Sequence, residues 1–320
     1  MRALVTGGAG FIGSHLAEAL LRRGDSVRVL DDLSTGRPQN LESMDNWARA
    51  GGGRAELVTG DIRSPQDCRA AMRGIEVVFH QAALGSVPRS VADPKTTDDV
   101  NAGGTLNVLL AAREAGARRV VAASSSSVYG DTPTLPKSEE MPSDPLSPYA
   151  LSKLAGETWC RLFYRLYGFE TVALRYFNVF GPRQDPDSQY AAVIPRFWTA
   201  LLEGKSPVVY GDGEQTRDFT YIDNVVQVNL RAAEAPAEAC GLAYNIAFGR
   251  RVSLLELLRI MGRLAGASAA PRFEPGRAGD VKHSLASIER AQRLLAYRPE
   301  IGIEEGLEKM LAYRQVTGRL

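Results

Sequence analysis

Cysteine and histidine are scarce in this chain, at three residues each among 320. Cys68, Cys160 and Cys240 are odd in number and share no metal-ligand spacing. Neither a disulfide framework nor a metal site is expected from them. His15, His80 and His283 have no partner pattern for a metal or a nucleophilic triad; His80 ends an apolar run and belongs to the wall of a cleft. Long apolar runs are also missing. No stretch reaches the roughly 18 uninterrupted apolar residues of a membrane span, and the apolar start at Ala3 breaks into glycines too soon for a signal segment. Charge of one sign is not in excess either, with 38 basic against 37 acidic residues. That balance argues against nucleic acid, whose phosphates call for a positive field. The expectation is a cytoplasmic protein with neither nucleic-acid nor membrane partners.

What is present is a rhythm. Short apolar runs at Ala3–Thr6, Val27–Leu30, Glu56–Val58, Val77–His80, Val120–Ala123 and Val172–Tyr176 alternate with helical patterns. The helical stretches include Phe11–Arg23, Thr96–Ala115 and Pro148–Tyr167. Strands buried on both faces and separated by helices predict an α/β fold with a doubly wound parallel sheet. Gly24 and Gly168 stop two of these helices, and Ser147-Pro148 caps and starts another. After Asn178 the rhythm loosens around Pro182, Pro186, Pro195 and Pro207. We therefore expect a first domain over residues 1–178 and a smaller α/β lobe over 179–320, interleaved with it.

The first apolar run leads straight into Gly7-Gly8-Ala9-Gly10-Phe11-Ile12-Gly13 and then a helix. Gly7, Gly10 and Gly13 allow a sharp turn, close approach of a pyrophosphate and tight helix–sheet packing, with the helix N-terminus facing the negative charge. This is a Rossmann-type dinucleotide site. The second strand ends at Asp31, in the window for an acid that binds an adenosine ribose and repels a 2′-phosphate. NAD is thereby favoured over NADP, although Arg37 lies close by. Asp61-Ile62, at the end of the third strand, is placed to meet the adenine.

Tyr149 and Lys153 stand four apart on a predicted helix and so share a face. Upstream, Ser124-Ser125-Ser126-Ser127-Val128-Tyr129-Gly130 would project hydroxyls at the carboxyl edge of the sheet, where open α/β folds bind ligands. With TGGAGFIGSH, this serine run before VYGD, YALSK, RYFNVFGPRQ and TRDFTYID, the chain resembles the extended short-chain dehydrogenases of the UDP-sugar 4-epimerase family over essentially its whole length. The resemblance implies that Tyr149 takes a proton from a sugar hydroxyl while NAD takes a hydride. A phenol with a pKa near ~10 must be lowered by ~3, or ~4 kcal/mol, to act at neutral pH. Lys153 and a cationic nicotinamide could supply that together. Ser125 matches the hydroxyl that bonds the reacting oxygen, while Ser126 and Ser127 are either helpers or strand-end caps. Related dehydratases carry an Asp-Glu pair, and decarboxylases a glutamate, where this chain has serines; neither activity is expected.

By the same resemblance the cofactor wall includes Phe11, Ile12, Asp32, Gln81, Ala82, Ala83, Asn101 and Tyr176. Gly85, Ser86, Arg89 and Asn178 face the sugar, Ala192 and Val193 the uridine. Tyr210 packs on the base, Arg217 and Arg277 clamp the diphosphate, and Asp280 touches the ribose. Arginine suits a diphosphate because its planar fork binds phosphate bidentately. Ser284 falls where relatives restricted to glucose and galactose carry a tyrosine, leaving room for a 2-acetamido group. UDP-N-acetylglucosamine 4-epimerisation is the first expectation. A uronic acid held by Arg89, or plain UDP-glucose, remains an alternative, and a silent NAD-binding scaffold is a distant one. The helices Thr96–Ala115 and Pro148–Tyr167 are implied to pair across a homodimer, although burial in the core would equally explain their apolar faces.

Overall fold

The computed structural model describes residues 1–184, 193–267, 270–276 and 282–318. Its first half alternates as the apolar runs require. β1 (Arg2–Thr6), α1 (Phe11–Arg22), β2 (Ser26–Asp31), α2 (Met44–Gly51), β3 (Ala55–Thr59), α3 (Pro65–Ala71) and β4 (Val77–His80) follow one another. Then come α4 (Val87–Ala92), α5 (Pro94–Asp98), α6 (Gly104–Glu114), β5 (Arg119–Ser125), α7 (Pro148–Tyr167) and β6 (Glu170–Tyr176).

The strands lie in the order β3-β2-β1-β4-β5-β6, and β11 (Leu242–Ile246), from the second half of the chain, adds a seventh beside β6. Every pairing in this sheet is parallel. Residues alternate between its faces with the period of two that strands impose. Val5, Val29, Phe79, Val121 and Leu174 pack on one side, in the layer that holds α1 and the later helix over Ile222–Glu234. Leu4, Leu30, Val78 and Val120 pack under α3, α6 and α7 on the other. Each such fully buried side chain contributes roughly 1.5–3 kcal/mol, which is why the strands read as continuous apolar runs.

Helix α7 has the bounds expected from its punctuation. The Ser147 hydroxyl accepts from the Ala150 N–H at 3.1 Å, Pro148 opens the first turn, and Gly168 ends the helix at φ +62°. The single helix expected over Thr96–Ala115 differs. It is α5 and α6 joined by a π-helical turn at Asp99–Gly103. One extra residue in that turn brings Asn101 inward, a distortion that often marks functional sites.

The remainder is built from small pieces. These are β7 (Val179–Phe180), α8 (Val193–Leu202), β8 (Val208–Tyr210), β9 (Thr216–Asp218), β10 (Thr220–Tyr221) and α9 (Ile222–Glu234). After β11 come β12 (Arg251–Ser253), α10 (Leu254–Ala265), β13 (Arg272–Glu274), α11 (Glu289–Leu295) and α12 (Ile303–Thr317). The short strands pair as β7 with β10, β8 with β13 and β9 with β12. Asp218 pins these pieces together. Its buried carboxylate accepts the N–H groups of Phe248 and Gly249 at 3.1 Å and of Ala286 at 3.2 Å. Burial pushes it up to about 6 despite those bonds.

Candidate active site

Strand order reverses between β1 and β4, and a ligand crevice is expected at the carboxyl ends of strands on either side of such a reversal. A cavity of about 590 Å³ lies there. Gly7, Gly10, Phe11, Ile12 and Gly13 form its floor. The tightness of that floor is steric. A Cβ on Gly13 would sit 2.1 Å from the Gly7 carbonyl oxygen, and one on Gly7, at φ +68°, would sit 2.7 Å from the Ala82 backbone. Helix α1 has no side-chain cap and no acid in its first turn, so its terminal N–H groups face the cavity uncompensated. These features fit a dinucleotide pyrophosphate.

Asp31 and Asp32 line the same cavity. The Asp31 carboxylate accepts from the Ala9 N–H at 2.8 Å and the Leu33 N–H at 2.9 Å, which ties the acid to the glycine loop. Each oxygen keeps a lone pair for a ribose hydroxyl. Burial nevertheless raises Asp31 above the usual carboxylate range, against those bonds. Arg37 lines this end as well. Asp61 and Ile62 stand at the end of β3, with the Asp61 carboxylate held by Arg63 and lowered by that bond. Gln81, Ala82 and Ala83 follow β4 along the wall. Tyr176 closes it, its hydroxyl lying 3.2 Å from the Gln81 amide nitrogen and 2.9 Å from the Asn229 amide nitrogen. Asn101 stands behind the wall. Its side chain bonds Leu84 N–H at 2.8 Å and the Ser152 hydroxyl at 3.0 Å, tying the loop after β4 to α7.

Tyr149 and Ser125 meet in the middle of the cleft. The Ser125 hydroxyl accepts from Ser127 Oγ at 2.9 Å and faces the Tyr149 phenol across the cleft, so Ser127 backs Ser125 while Ser126 lines the cavity. Burial pushes the Tyr149 phenol up, and the Ser125 hydroxyl only partly opposes it. Lys153 donates to the Ala123 carbonyl at 3.1 Å, and burial pushes it down to about 8, against the raising effect of Glu157. His80 sits behind this group, bonded to Thr6 Oγ1 at 2.8 Å and Thr105 Oγ1 at 2.9 Å, and burial pushes it down to about 3.

Gly85, Ser86 and Arg89 line the far side of the cavity, opposite Asn178. A second cavity of about 260 Å³ abuts it, sharing Asn178, Val179 and Gln184 as walls. Val193, Tyr210 and Arg217 line this second cavity. Arg217 donates to the Thr216 carbonyl at 3.0 Å, and Arg196 lies over the Tyr210 ring at 5.4 Å. Ser284 is half-buried beside β9, its N–H donating to the Thr216 carbonyl at 3.1 Å. It lines neither cavity. Ala192, Arg277 and Asp280 lie outside the described residues.

Sequence reasoning did not single out Gln184, Asn229 or Arg183. Gln184 and Arg183 both lie within the RYFNVFGPRQ stretch, where the signal was available. Asn229, fully buried on the apolar face of α9, was visible only as a polar residue in an otherwise apolar position.

A phenol, an amine and a hydroxyl beside a dinucleotide cradle are the parts of an enzyme that oxidises and re-reduces a carbinol carbon with a nicotinamide. Residues 3–247 match the NAD dependent epimerase/dehydratase family, and the chain belongs to it. Its cofactor is NAD, and its class is NAD-dependent nucleotide-sugar epimerase. The chain is 41% identical over 314 residues to a UDP-glucose 4-epimerase of Mycolicibacterium smegmatis, covering 98% of each. It is similar to the UDP-N-acetylglucosamine 4-epimerase of Methanobrevibacter ruminantium in complex with UDP-N-acetylmuramic acid, at 37% identity and TM-score 0.91, covering 98% of each chain. It also resembles the UDP-glucuronic acid 4-epimerase of Bacillus cereus with UDP-glucuronic acid and NAD, at 34% identity and TM-score 0.89, covering 99% of each. Among the described residues no helix is long and apolar enough to cross a membrane.

Proposed function

We propose that the protein is a UDP-sugar 4-epimerase that interconverts UDP-N-acetylglucosamine and UDP-N-acetylgalactosamine. The observation that carries the 4-epimerase reading is the junction of the two cavities. Tyr149 and Ser125 lie in the cofactor cleft, while Tyr210 and Arg217 line the adjoining one, separated by the shared wall at Asn178, Val179 and Gln184. A ligand gripped by its nucleotide in the second cavity can reach Tyr149 with its sugar. NAD, when bound along Gly7–Gly13 and Asp31, supplies reversible hydride transfer. Tyr149 takes the 4-hydroxyl proton as C4 is oxidised, helped by the Ser125 hydroxyl and the Lys153 charge. The 4-keto sugar turns about its diphosphate link, and Tyr149 returns the proton as C4 is reduced from the other face. Arg217, and Arg277 by resemblance, hold the diphosphate during that turn.

The N-acetyl preference rests on the likeness to a UDP-N-acetylglucosamine 4-epimerase and, by family resemblance alone, on Ser284, a small residue that lines neither cavity here. A second reading is favoured by Arg89. Its side chain lines the cavity that holds Tyr149 and offers a fork to a C6 carboxylate, as UDP-glucuronate would require. Incubation with UDP-N-acetylglucosamine, followed by proton NMR of the products, separates the readings. The expected product is UDP-N-acetylgalactosamine. No turnover after NAD is supplied would sink the N-acetylhexosamine assignment, and conversion of UDP-glucuronate instead would install the second reading.

We further propose a homodimer through α6 and α7, which pack on each other. Leu110, Leu151 and Leu166 are exposed on them, at 40%, 55% and 66%. A second copy covering these side chains would form a four-helix bundle, and a monomer by sedimentation at micromolar concentration would refute it. Three buried free thiols suit a reducing, cytoplasmic setting.

A further inference from the structure

The floor of the active site is a zipper between two elements. Three successive residues at the end of β5 are gripped by three turns of α7. The Ala123 carbonyl accepts from Lys153, the Ser124 hydroxyl donates to Glu157 at 2.5 Å, and Ser125 faces Tyr149 in the cleft. Tyr149, Lys153 and Glu157 are spaced four apart, so they fall on one helical face. Two of these contacts hold the groups assigned to the chemistry. The third, through Glu157, has no assigned role.

Glu157 is buried, with a side chain 7% exposed, and so is its partner Arg175. The two form a bidentate pair, Nε to Oε1 and Nη2 to Oε2, each at 2.8 Å. Arg175 is the register neighbour of Ser124 across β5 and β6. Its third nitrogen, Nη1, donates to the Tyr129 hydroxyl at 2.8 Å, which donates to Asn245 Oδ1 at 2.7 Å. A buried ion pair is weak evidence for stability, because its desolvation offsets much of its attraction. Its place in the zipper points elsewhere.

We propose that Glu157 is a positioning residue for the Tyr149–Lys153–Ser125 centre. Its carboxylate fixes the end of β5 through Ser124 and sets a buried negative charge one turn from Lys153, which keeps the lysine protonated beside the tyrosine. The inference rests on the assignment of Tyr149 and Lys153 to the chemistry. Among the other titratable groups around α7, His80 is held neutral by burial, and Tyr129 and Tyr176 are held as phenols. Arg175 is matched by Glu157 itself, and Arg89 lines the cleft. Lys95 pairs with Asp99 at the surface, Asp98, Arg113 and Glu114 are exposed, and Arg119 pairs with Glu170 at the opposite end of the strands. Glu157 is the charge that opposes the effect of burial on Lys153.

The test is Glu157→Gln in the full-length holoenzyme. Glutamine keeps the size and can still accept from Ser124, but it removes the charge. Two quantities are read: the protonation of Lys153 by competitive acetylation and mass spectrometry across pH, and the pH profile of kcat. Both the Lys153 midpoint and the alkaline limb of kcat are expected to move down by roughly one pH unit, with NADH affinity within about twofold of the parent. Curves that superimpose on the parent, even with a lower melting temperature, would overturn the proposal and leave Glu157 structural. If Glu157→Gln does not fold, the repacked pair Glu157→Leu with Arg175→Met is read in the same way; a downward shift of smaller size is expected, because the opposing Arg175 charge is removed as well, and no shift at all would be fatal. The labelling needs no substrate, so a parent enzyme without turnover on any UDP-sugar would count against the epimerase reading alone.

Discussion

The two cavities are made differently. The cofactor half rests on backbone: a glycine loop, bare helix N–H groups and strand ends of a seven-stranded parallel sheet. The nucleotide half rests on side chains carried by strands of two or three residues and by α8, with one buried aspartate, Asp218, tying β9 to the segments before β12 and before α11. Backbone sites are intolerant of added atoms but nearly indifferent to charge. Side-chain sites tolerate bulk and fail when one head group is lost. Substitutions in the first half should therefore damage binding and folding together, and those in the second half should damage one ligand at a time.

The strongest expected break is Gly13→Ala. Its methyl would lie 2.1 Å from a carbonyl oxygen that cannot move without disrupting the turn. Loss of NADH binding by fluorescence titration is expected, with destabilisation on the order of 3 kcal/mol or more. Gly85→Ala in the same cleft is the control, because nothing lies within 4 Å of its added methyl. Its melting curve should match the parent, and equal damage from both would dissolve the steric argument. Next comes Tyr149→Phe, at the seam between the halves. Turnover should fall by about 10²–10⁴ while NADH affinity stays unchanged. Retention of full activity would remove Tyr149 from the chemistry and revive a scaffold role.

A smaller, selective effect is expected in the nucleotide half. Arg217→Ala deletes a charged donor lining the second cavity. A charge-assisted contact is worth roughly 1.5–3 kcal/mol, so UDP affinity by calorimetry should weaken about 10- to 100-fold. NADH affinity should not move. A parallel loss of both ligands would mean that the halves are one cooperative unit.

The same contrast explains what could be read from the residues alone. Glycine spacing, the acid ending β2 and the Tyr149–Lys153 pair are local signals, each within a window of a few residues. The bounds of α7 followed from Ser147, Pro148 and Gly168 for the same reason. The π-helical turn at Asp99–Gly103 was not legible, because one inserted residue does not disturb the apolar pattern of a helix. The Tyr129–Asn245 bond spans 116 residues, and Asp218 gathers N–H groups from 30 to 68 residues away. Buried polar partners at such distances leave no periodicity to detect. Strands as short as β7 and β10 fall below the length at which alternation is a signal at all.

His80 tests how far the backbone-built half depends on a neutral side chain, and its effect is the smallest at working pH. Thr105 Oγ1 donates to the Asn101 carbonyl at 2.5 Å, so it must accept from His80 Nε2–H, and His80 Nδ1 is left to accept from Thr6. Every polar atom of this hydrogen-bonded chain is satisfied when the ring is neutral, and a second ring proton would force the Thr6 hydroxyl to turn and give up its own donation. Burial, with the Lys153 charge adding to it, lowers the ring from 6.5 to about 3. The folded pKa lies below the unfolded one, so the group's contribution is complete above pH 6.5 and is lost as pH falls toward 3. His80→Gln keeps a donor and an acceptor without a titrating ring. At pH 8 the two proteins should differ by no more than about 1 kcal/mol in denaturant unfolding. Between pH 6.5 and 3 the parent should lose stability more steeply, by on the order of a few kcal/mol over the range. Stability curves that run parallel through that window would show that the ring already titrates freely, and that the wall behind Lys153 is open to water.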